Sequence, residues 1–270
     1  MQEFRADLHC HSIFSDGTYS PEELIKKALE IGLKGLSITD HDTVEAYQIA
    51  TPLARELGLK LLSGVEFSTV LFGVSVHILG YGFQLDHPAL LSLCERHAKR
   101  RKERNQSILE NLTKLGMPLE WKDITPVGKH ATIGRPHIAQ ALVNKGFAEN
   151  ISDAFKKYLA EGKPAFSKGE PFSVEETLDI LRQAKGKAII AHPHLIEDKE
   201  ILRRLLKMNF DGIEGYYANF QKNQNSRWLL VAEKKGWLIT GGSDFHGEVK
   251  PQISLGASWV GEETFNRLLP

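Results

Sequence analysis

Seven histidines and five acids sit in short pieces, most of which follow an apolar, β-branched run. The pieces are LHCHS (8–12), SDG (15–17), TDHDT (39–43), GVEFS (64–68), VHILG (76–80), AHPH (191–194) and GSDFHG (242–247). Imidazole is the commonest metal ligand, and carboxylates bridge and charge-balance divalent ions. One such piece carries little information. Seven of them, six at predicted strand ends, constrain the chain to a fold that gathers many strand ends around one polynuclear metal site.

Element signals alternate in the first ninety residues. A strand is predicted over 4–9. A helix follows, with Ser20 as cap, Pro21 at the first position and Glu23 completing a capping box. Further strands are predicted over 36–39, 60–65 and 75–81, with a helix over 44–57 ending at Gly58. Asp40 or Asp42 is expected to cap that helix. From 97 to 170 the rhythm is helical and charged, with apolar faces at Ile108, Leu109, Leu112 and Leu115 and at Ile138, Ala139, Leu142 and Val143. Alternation resumes after Pro171. Ser173 with Glu176 opens a helix to Gln183, and strands are predicted over 188–191, 212–216, 237–241 and 255–260. Helices are predicted over 199–208, 224–235 and 263–269.

Strands separated by helices imply parallel pairing through right-handed crossovers. Seven or eight strands point to an α/β barrel with its ligand-bearing pieces on the catalytic rim. The predicted divisions are a barrel over 1–96 and 171–270, interrupted by a small helical insertion over 97–170.

The ligands follow from side-chain period. His9 and His11 are two apart on a strand and share a face, with Cys10 between them pointing away. Asp244 and His246 form a second such pair. With Asp16, His41, Glu66, His77 and His192 they make nine candidate ligands. A single zinc takes three or four, so nine suit two or three ions, with one carboxylate bridging. Imidazole and carboxylate without thiolate favour manganese, with zinc or iron next.

The formal net charge is zero, which argues against a protein that coats nucleic acid. Two cysteines, Cys10 and Cys94, cannot build a disulfide scaffold, so a reducing cytoplasm is expected. No signal peptide, membrane span or stable protein partner is predicted.

The order HxH, SDG, TDHD, isolated Glu and His, AHPH, SDFH resembles the polymerase-and-histidinol-phosphatase (PHP) superfamily of metallophosphoesterases. The resemblance implies a distorted (β/α)7 barrel and a trinuclear centre. It implies His9, His11, Glu66 and Asp244 at a first ion, Glu66, His77 and His192 at a second, and Asp16, His41 and His246 at a third. The insertion carries HAKRRKERN (97–105) and IGRPHIA (133–139). These resemble the branch that dephosphorylates nucleoside 3′,5′-bisphosphates and trims short RNA from its 5′ end. A small phosphorylated nucleotide or short oligoribonucleotide is therefore the expected substrate.

Two ions roughly 3.5–4 Å apart activate water and clamp a phosphoryl group. A metal-bridging hydroxide is expected to attack phosphorus, with Glu66 and Asp244 holding the ions. His194 is a candidate to protonate the leaving oxygen. Arg135, whose planar fork matches phosphate, and His137 are the expected substrate contacts. Lys99, Arg100, Arg101, Lys102 and Arg104 read as one solvated helix face, from which Arg101 or Arg104 could reach a second phosphate. Lys168 is a further candidate. His87, His97 and His130 read as surface or structural. The rival readings are a histidinol-phosphate-type phosphatase, an amidohydrolase-type C–N hydrolase, in which SDG and TDHD have no evident place, and a metal-stabilised scaffold that binds RNA or protein.

Overall fold

The computed structural model describes residues 3–125, 132–218 and 225–270. His130 lies outside them, as does Gln224 at the start of one predicted helix. Three strands, β1 (Ala6–Cys10), β2 (Gly35–Ile38) and β3 (Lys60–Leu61), form a parallel sheet in that order. A second sheet runs β4 (Gly64–Leu71), β5 (Val74–Tyr81), β6 (Lys187–Ile190), β7 (Gly212–Tyr217) and β8 (Leu238–Gly242). Ten α-helices are described: α1 (Pro21–Glu30), α2 (Tyr47–Leu57), α3 (Pro88–Lys114), α4 (Trp121–Ile124), α5 (Arg135–Asn144), α6 (Ile151–Ala154), α7 (Val174–Gln183), α8 (Lys199–Leu205), α9 (Ser226–Lys235) and α10 (Glu262–Leu268).

Local chemistry sets several boundaries. The Ser20 side chain accepts from the Glu23 N–H, and the Glu23 carboxylate accepts from the Ser20 N–H, which fixes the start of α1. Ser173 caps α7 by accepting from Glu176 N. Gly58, in the left-handed region at φ 74°, ends α2.

Pairing departs from the all-parallel expectation. β4 and β5 are antiparallel, as are β5 and β6, whereas β6, β7 and β8 are parallel. Phe72 and Gly73 alone join β4 to β5, both at positive φ, and a two-residue loop makes a hairpin rather than a crossover. The predicted strand over 60–65 is two strands. The chain bends at Leu62 and Ser63 as it leaves its β2 partner: Leu62 N still donates to Leu36 O, whereas Ser63 O already accepts from Gly82 N.

The predicted strand over 255–260 does not form. Gly256 turns at φ 76° and donates its N–H to the Asp7 carboxylate, so only Val260 keeps a bridge, to Ala6. Neither Asp40 nor Asp42 caps α2. Asp40 accepts from Ser12 and Ser15, Asp42 accepts from Ser68 N, and the residue preceding α2 is Ala46.

The chain divides into two compact units, residues 1–94 with 172–270, and residues 95–171. In the first, Leu8, Leu79, Tyr81, Ile189 and Leu238 form a buried cluster contributed by β1, β5, β6 and β8. Each such leucine or isoleucine contributes about 1.5–3 kcal/mol of transfer free energy. A larger cluster packs α1, α2 and α7 on the strands through Leu24, Ile38, Ala50, Ile78 and Leu181. No closed barrel is found among the described residues. Single bridges do join the sheets, Cys10 to Phe245 and His41 to Glu66. The second unit has its own core of Ile108, Leu112, Ile138, Leu142 and Leu159. Among the described residues no helix is long and apolar enough to cross a membrane.

Candidate metal centre

The strand ends of the first unit bring the nine candidate ligands together. β1 presents His9 and His11, both fully buried, and Cys10 turns away to donate to Ser37 O. Glu66 enters from β4 and is 1 % exposed. A carboxylate so deeply buried needs compensating partners, and five imidazoles surround it. Its Oε2 lies 3.3 Å from His9 Nε2, 3.2 Å from His11 Nε2 and 3.3 Å from His41 Nδ1. Its Oε1 lies 2.8 Å from His77 Nδ1 and 2.8 Å from His192 Nε2. The two oxygens therefore face different sets of donors, the arrangement of a bridging carboxylate.

Asp244 completes the first set. Its Oδ1 is 3.4 Å from His9 Nε2 and 3.3 Å from His11 Nε2. On the other side Asp16 Oδ1 lies 3.4 Å from His246 Nε2, and Asp16 Oδ2 lies 3.8 Å from His41 Nε2. Three groups have donor atoms close enough to share one ion: His9, His11, Glu66 and Asp244; His11, Asp16, His41 and His246; and His41, Glu66 and His77. The second group adds His11 to the set implied by family resemblance. The third has His41 where the resemblance implies His192, although His192 also touches Glu66.

Electrostatics follow from burial and sign. Burial opposes ionisation of Glu66, but His41, His77 and His9 outweigh it and hold the carboxyl well below its usual range. Asp16 and Asp244 are lowered in the same way, Asp16 chiefly by His246 and His41, and Asp244 chiefly by His9 and His246. Burial disfavours the His11 imidazolium, yet Asp244 and Glu66 lift it to about 9. His41 moves the other way, to about 3, because burial dominates its carboxylate neighbours.

The donor set fits divalent cations. His11 Nε2, Asp16 Oδ1 and His41 Nδ1 are buried and lack a hydrogen-bond partner. Buried polar atoms are nearly always satisfied, so three convergent ligand atoms of this kind are what a cation would engage, displacing the His11 proton as it binds. The backbone is also strained here. His192, at φ 23°, lies outside the usual regions, and Asp244, at φ 56°, takes the left-handed φ that few residues besides Asp and Asn adopt. Gly242 lets the strands approach, since a Cβ there would lie 2.3 Å from His9 N.

Several contributors were not singled out from sequence. Glu214 on β7, 1 % exposed, lies 2.8 Å from His9 Nδ1 through Oε1 and accepts from His192 N through Oε2. Its signal is the one that marked Glu66, a carboxylate inside an apolar run, here Ile213-Glu214-Gly215. Tyr217 and Lys250 both donate to Asp244 Oδ2, and no local motif marks either. Asp7 accepts from His9 N, Ser243 N and Gly256 N, fastening β1 to the loop after β8. His194 is half-buried with its ring centroid 4.5 Å from that of Tyr217. Burial, reinforced by His192, lowers its pKa below the ordinary value.

The helical unit holds the remaining candidates. Arg100, Arg101 and Arg104 are all buried, whereas Lys99 and Lys102 are exposed. The basic run is thus not one solvated face: its arginines turn inward and only its lysines face water. Arg135 opens α5, its guanidinium 5.9 Å and 5.6 Å from the ring centroids of Phe155 and Phe166 and donating to Leu159 O. Residues 155–159 form a π-helical turn, a local distortion frequent at functional sites. His137 Nδ1 accepts from Gly134 N, closing the start of α5. Lys168 lies 3.8 Å from Glu161. His97 is buried and His87 half-buried.

Comparisons with known proteins show the family. The chain belongs to the PHP domain family, whose pattern matches residues 7–248. It is 34 % identical over 261 residues to the 5′-3′ exoribonuclease Rnm of Salmonella typhimurium, covering 93 % of this chain and 87 % of that protein. It is 31 % identical over 251 residues to a 3′,5′-nucleoside bisphosphate phosphatase of Chromobacterium violaceum, covering 89 % of this chain and 86 % of the other. A crystal structure described as a metal-dependent phosphoesterase from Bifidobacterium adolescentis superposes with a TM-score of 0.88 at 33 % identity. That match covers 97 % of this chain and 94 % of that one.

Proposed function

We propose that this protein is a metal-dependent phosphoesterase that removes phosphate from small nucleotides such as nucleoside 3′,5′-bisphosphates and trims short RNA from its 5′ end. The observation that carries the reading is Glu66, whose two oxygens face two different sets of imidazoles. Two or three divalent ions are held there by His9, His11, Asp16, His41, Glu66, His77, His192, Asp244 and His246, with manganese suiting the donors best and zinc or iron next. When bound, such ions activate water and offset charge on phosphoryl oxygens. The names of the relatives support the substrate class.

The chain's own residues divide the work. Glu66 is the acid shared by two of the sets, and Asp244 completes the first. Glu214 fixes the ring of His9 and the backbone of His192. His194, neutral at pH 7 because burial and His192 lower its pKa, can donate a hydrogen bond from its N–H to the leaving oxygen, which takes its proton from water. Arg135 and the buried Arg101 and Arg104 bind a substrate phosphate, with His137 setting the start of α5 below Arg135. The helical unit, 97–170, supplies these substrate-binding residues. The two sheets are parts of a distorted (β/α)7 barrel, a reading supported by the bridges between them. Two cysteines, Cys10 and Cys94, too few for a disulfide scaffold, suit a reducing cytoplasm.

The test is a substrate panel run with added manganese: adenosine 3′,5′-bisphosphate, 5′-phosphorylated di- to pentaribonucleotides, histidinol phosphate and simple amides. Turnover of the first two, lost in Glu66→Ala together with bound metal, is expected. Turnover of amides alone, or tight RNA binding without turnover, would overturn the proposal.

A further inference from the structure

Asp244 divides its two oxygens between different tasks. Oδ1 faces His9, His11 and His246 Nδ1, the last at 3.5 Å. Oδ2 accepts from Tyr217 Oη at 2.7 Å and from Lys250 Nζ at 2.7 Å. Asp244 is 4 % exposed, so little water competes for either oxygen. A carboxylate oxygen holding two short bonds, one of them charge-assisted, is poorly placed to bind a cation as well.

The chain takes trouble to bring Lys250 there. Six residues after Asp244, it returns through a short 3-10 turn, Gly247–Val249. Gly247 adopts φ 65°, and a Cβ at that position would lie 2.0 Å from Thr18 Oγ1. The same Thr18 hydroxyl accepts from Glu248 N. The loop is therefore pinned to the segment after β1, with its lysine directed back at Asp244. Tyr217 comes from the end of β7, an independent element, and meets the same oxygen.

We propose that Tyr217 and Lys250 are positioning residues of the metal centre: by occupying Asp244 Oδ2 they restrict Asp244 to ligation through Oδ1 alone. The inference rests on the metal-centre reading above. Partners of a ligating group that lie outside the coordination sphere typically contribute 10- to 100-fold in metal affinity or activity. A lysine in that place also keeps a positive charge beside the acids without taking a coordination position.

The probe is cobalt(II), loaded in place of the native ions, read by its visible absorption in wild type, Tyr217→Phe, Lys250→Met, the double variant and Lys250→Arg. Thermal melting accompanies each, so that Tyr217→Phe, which keeps the ring, serves if Lys250→Met does not fold. The proposal expects the cobalt spectrum to change in Tyr217→Phe and more so in the double variant. It expects kcat for adenosine 3′,5′-bisphosphate to fall roughly 10- to 100-fold with KM little changed. Lys250→Arg, which still donates, is expected to recover most of the loss. An unchanged spectrum with unchanged kcat would overturn it. So would a raised KM with an unchanged spectrum, which would put Lys250 on the substrate. A wild-type protein that takes up no cobalt would remove the metal-centre reading and this inference with it.

Discussion

Glu214 Oε1 lies 2.8 Å from His9 Nδ1, on the side of the imidazole opposite Glu66 and Asp244. The Glu214 carboxylate accepts from Nδ1, which leaves Nε2 as the nitrogen facing the cluster, where an ion would take the place of its proton. A carboxylate, a histidine and a cation in line raise the basicity of the ligand and hold its ring. The same Glu214 accepts from His192 N, so one buried acid orients ligands from β1 and from the end of β6.

Glu214→Gln should therefore lower metal affinity or kcat by about 10- to 100-fold while the fold persists. Metal titration with steady-state kinetics checks this. Wild-type affinity and rate in the variant would remove Glu214 from the centre.

Proton linkage gives a second expectation. In the metal-free protein His11 is raised to about 9 against an ordinary 6.5. Its contribution to stability is present below pH 6.5 and is lost as pH rises toward 9. His41, lowered to about 3, contributes above pH 6.5 and loses that as pH falls toward 3. These two groups therefore make the metal-free protein lose stability both as pH rises above 6.5 and as it falls below 6.5. Because ions displace the His11 proton, loading at pH 7 should release protons, and metal affinity should rise between pH 6.5 and 9. Calorimetric titration in two buffers of different ionisation enthalpy reads the released protons. No proton release would contradict the assignment.

Arg135→Ala tests the helical unit. Loss of charge-assisted hydrogen bonds worth about 1.5–3 kcal/mol should raise KM, or lower kcat/KM, by roughly 10- to 100-fold with metal content intact. Some stability should also go, because the guanidinium packs by Phe155 and Phe166 and donates to Leu159 O. Metal analysis beside kinetics separates the cases: unchanged kinetics with a lowered melting temperature would make Arg135 structural only.

Gly242→Ala should be severe, since the new Cβ would meet His9 N at 2.3 Å and backbone cannot yield as a side chain end does. A loss of about 3 kcal/mol or more in chemical denaturation is expected, at the upper end of overpacking costs. A variant with wild-type stability would show that β1 and β8 are not held this close.

Most of the nine candidate ligands were legible because an imidazole or carboxylate at the end of an apolar strand is unusual, whereas Asp16, in a turn, and His77, inside β5, stood out only through the motif order. Capping boxes made α1 equally plain. The hairpin between β4 and β5 was hidden because Phe72-Gly73 is not a common turn pair, and its positive φ at Phe72 is visible only in the structure. The burial of Arg100, Arg101 and Arg104 was hidden too, because a run of charges looks the same in sequence whether its side chains face water or one another. Tyr217 and Lys250 reach Asp244 from separate elements, and no spacing rule links residues brought together by a turn and a sheet.

The central claim is that hydrolysis of phosphate esters depends on ions gathered around Glu66. Its most direct test is to quantify metal in the purified protein by mass spectrometry, strip it by exhaustive chelation, and follow release of phosphate from adenosine 3′,5′-bisphosphate before, after, and on restoring manganese. The account predicts two or three ions per chain, loss of turnover on stripping and recovery on restoration. A stripped protein that turns over at its original rate would contradict it.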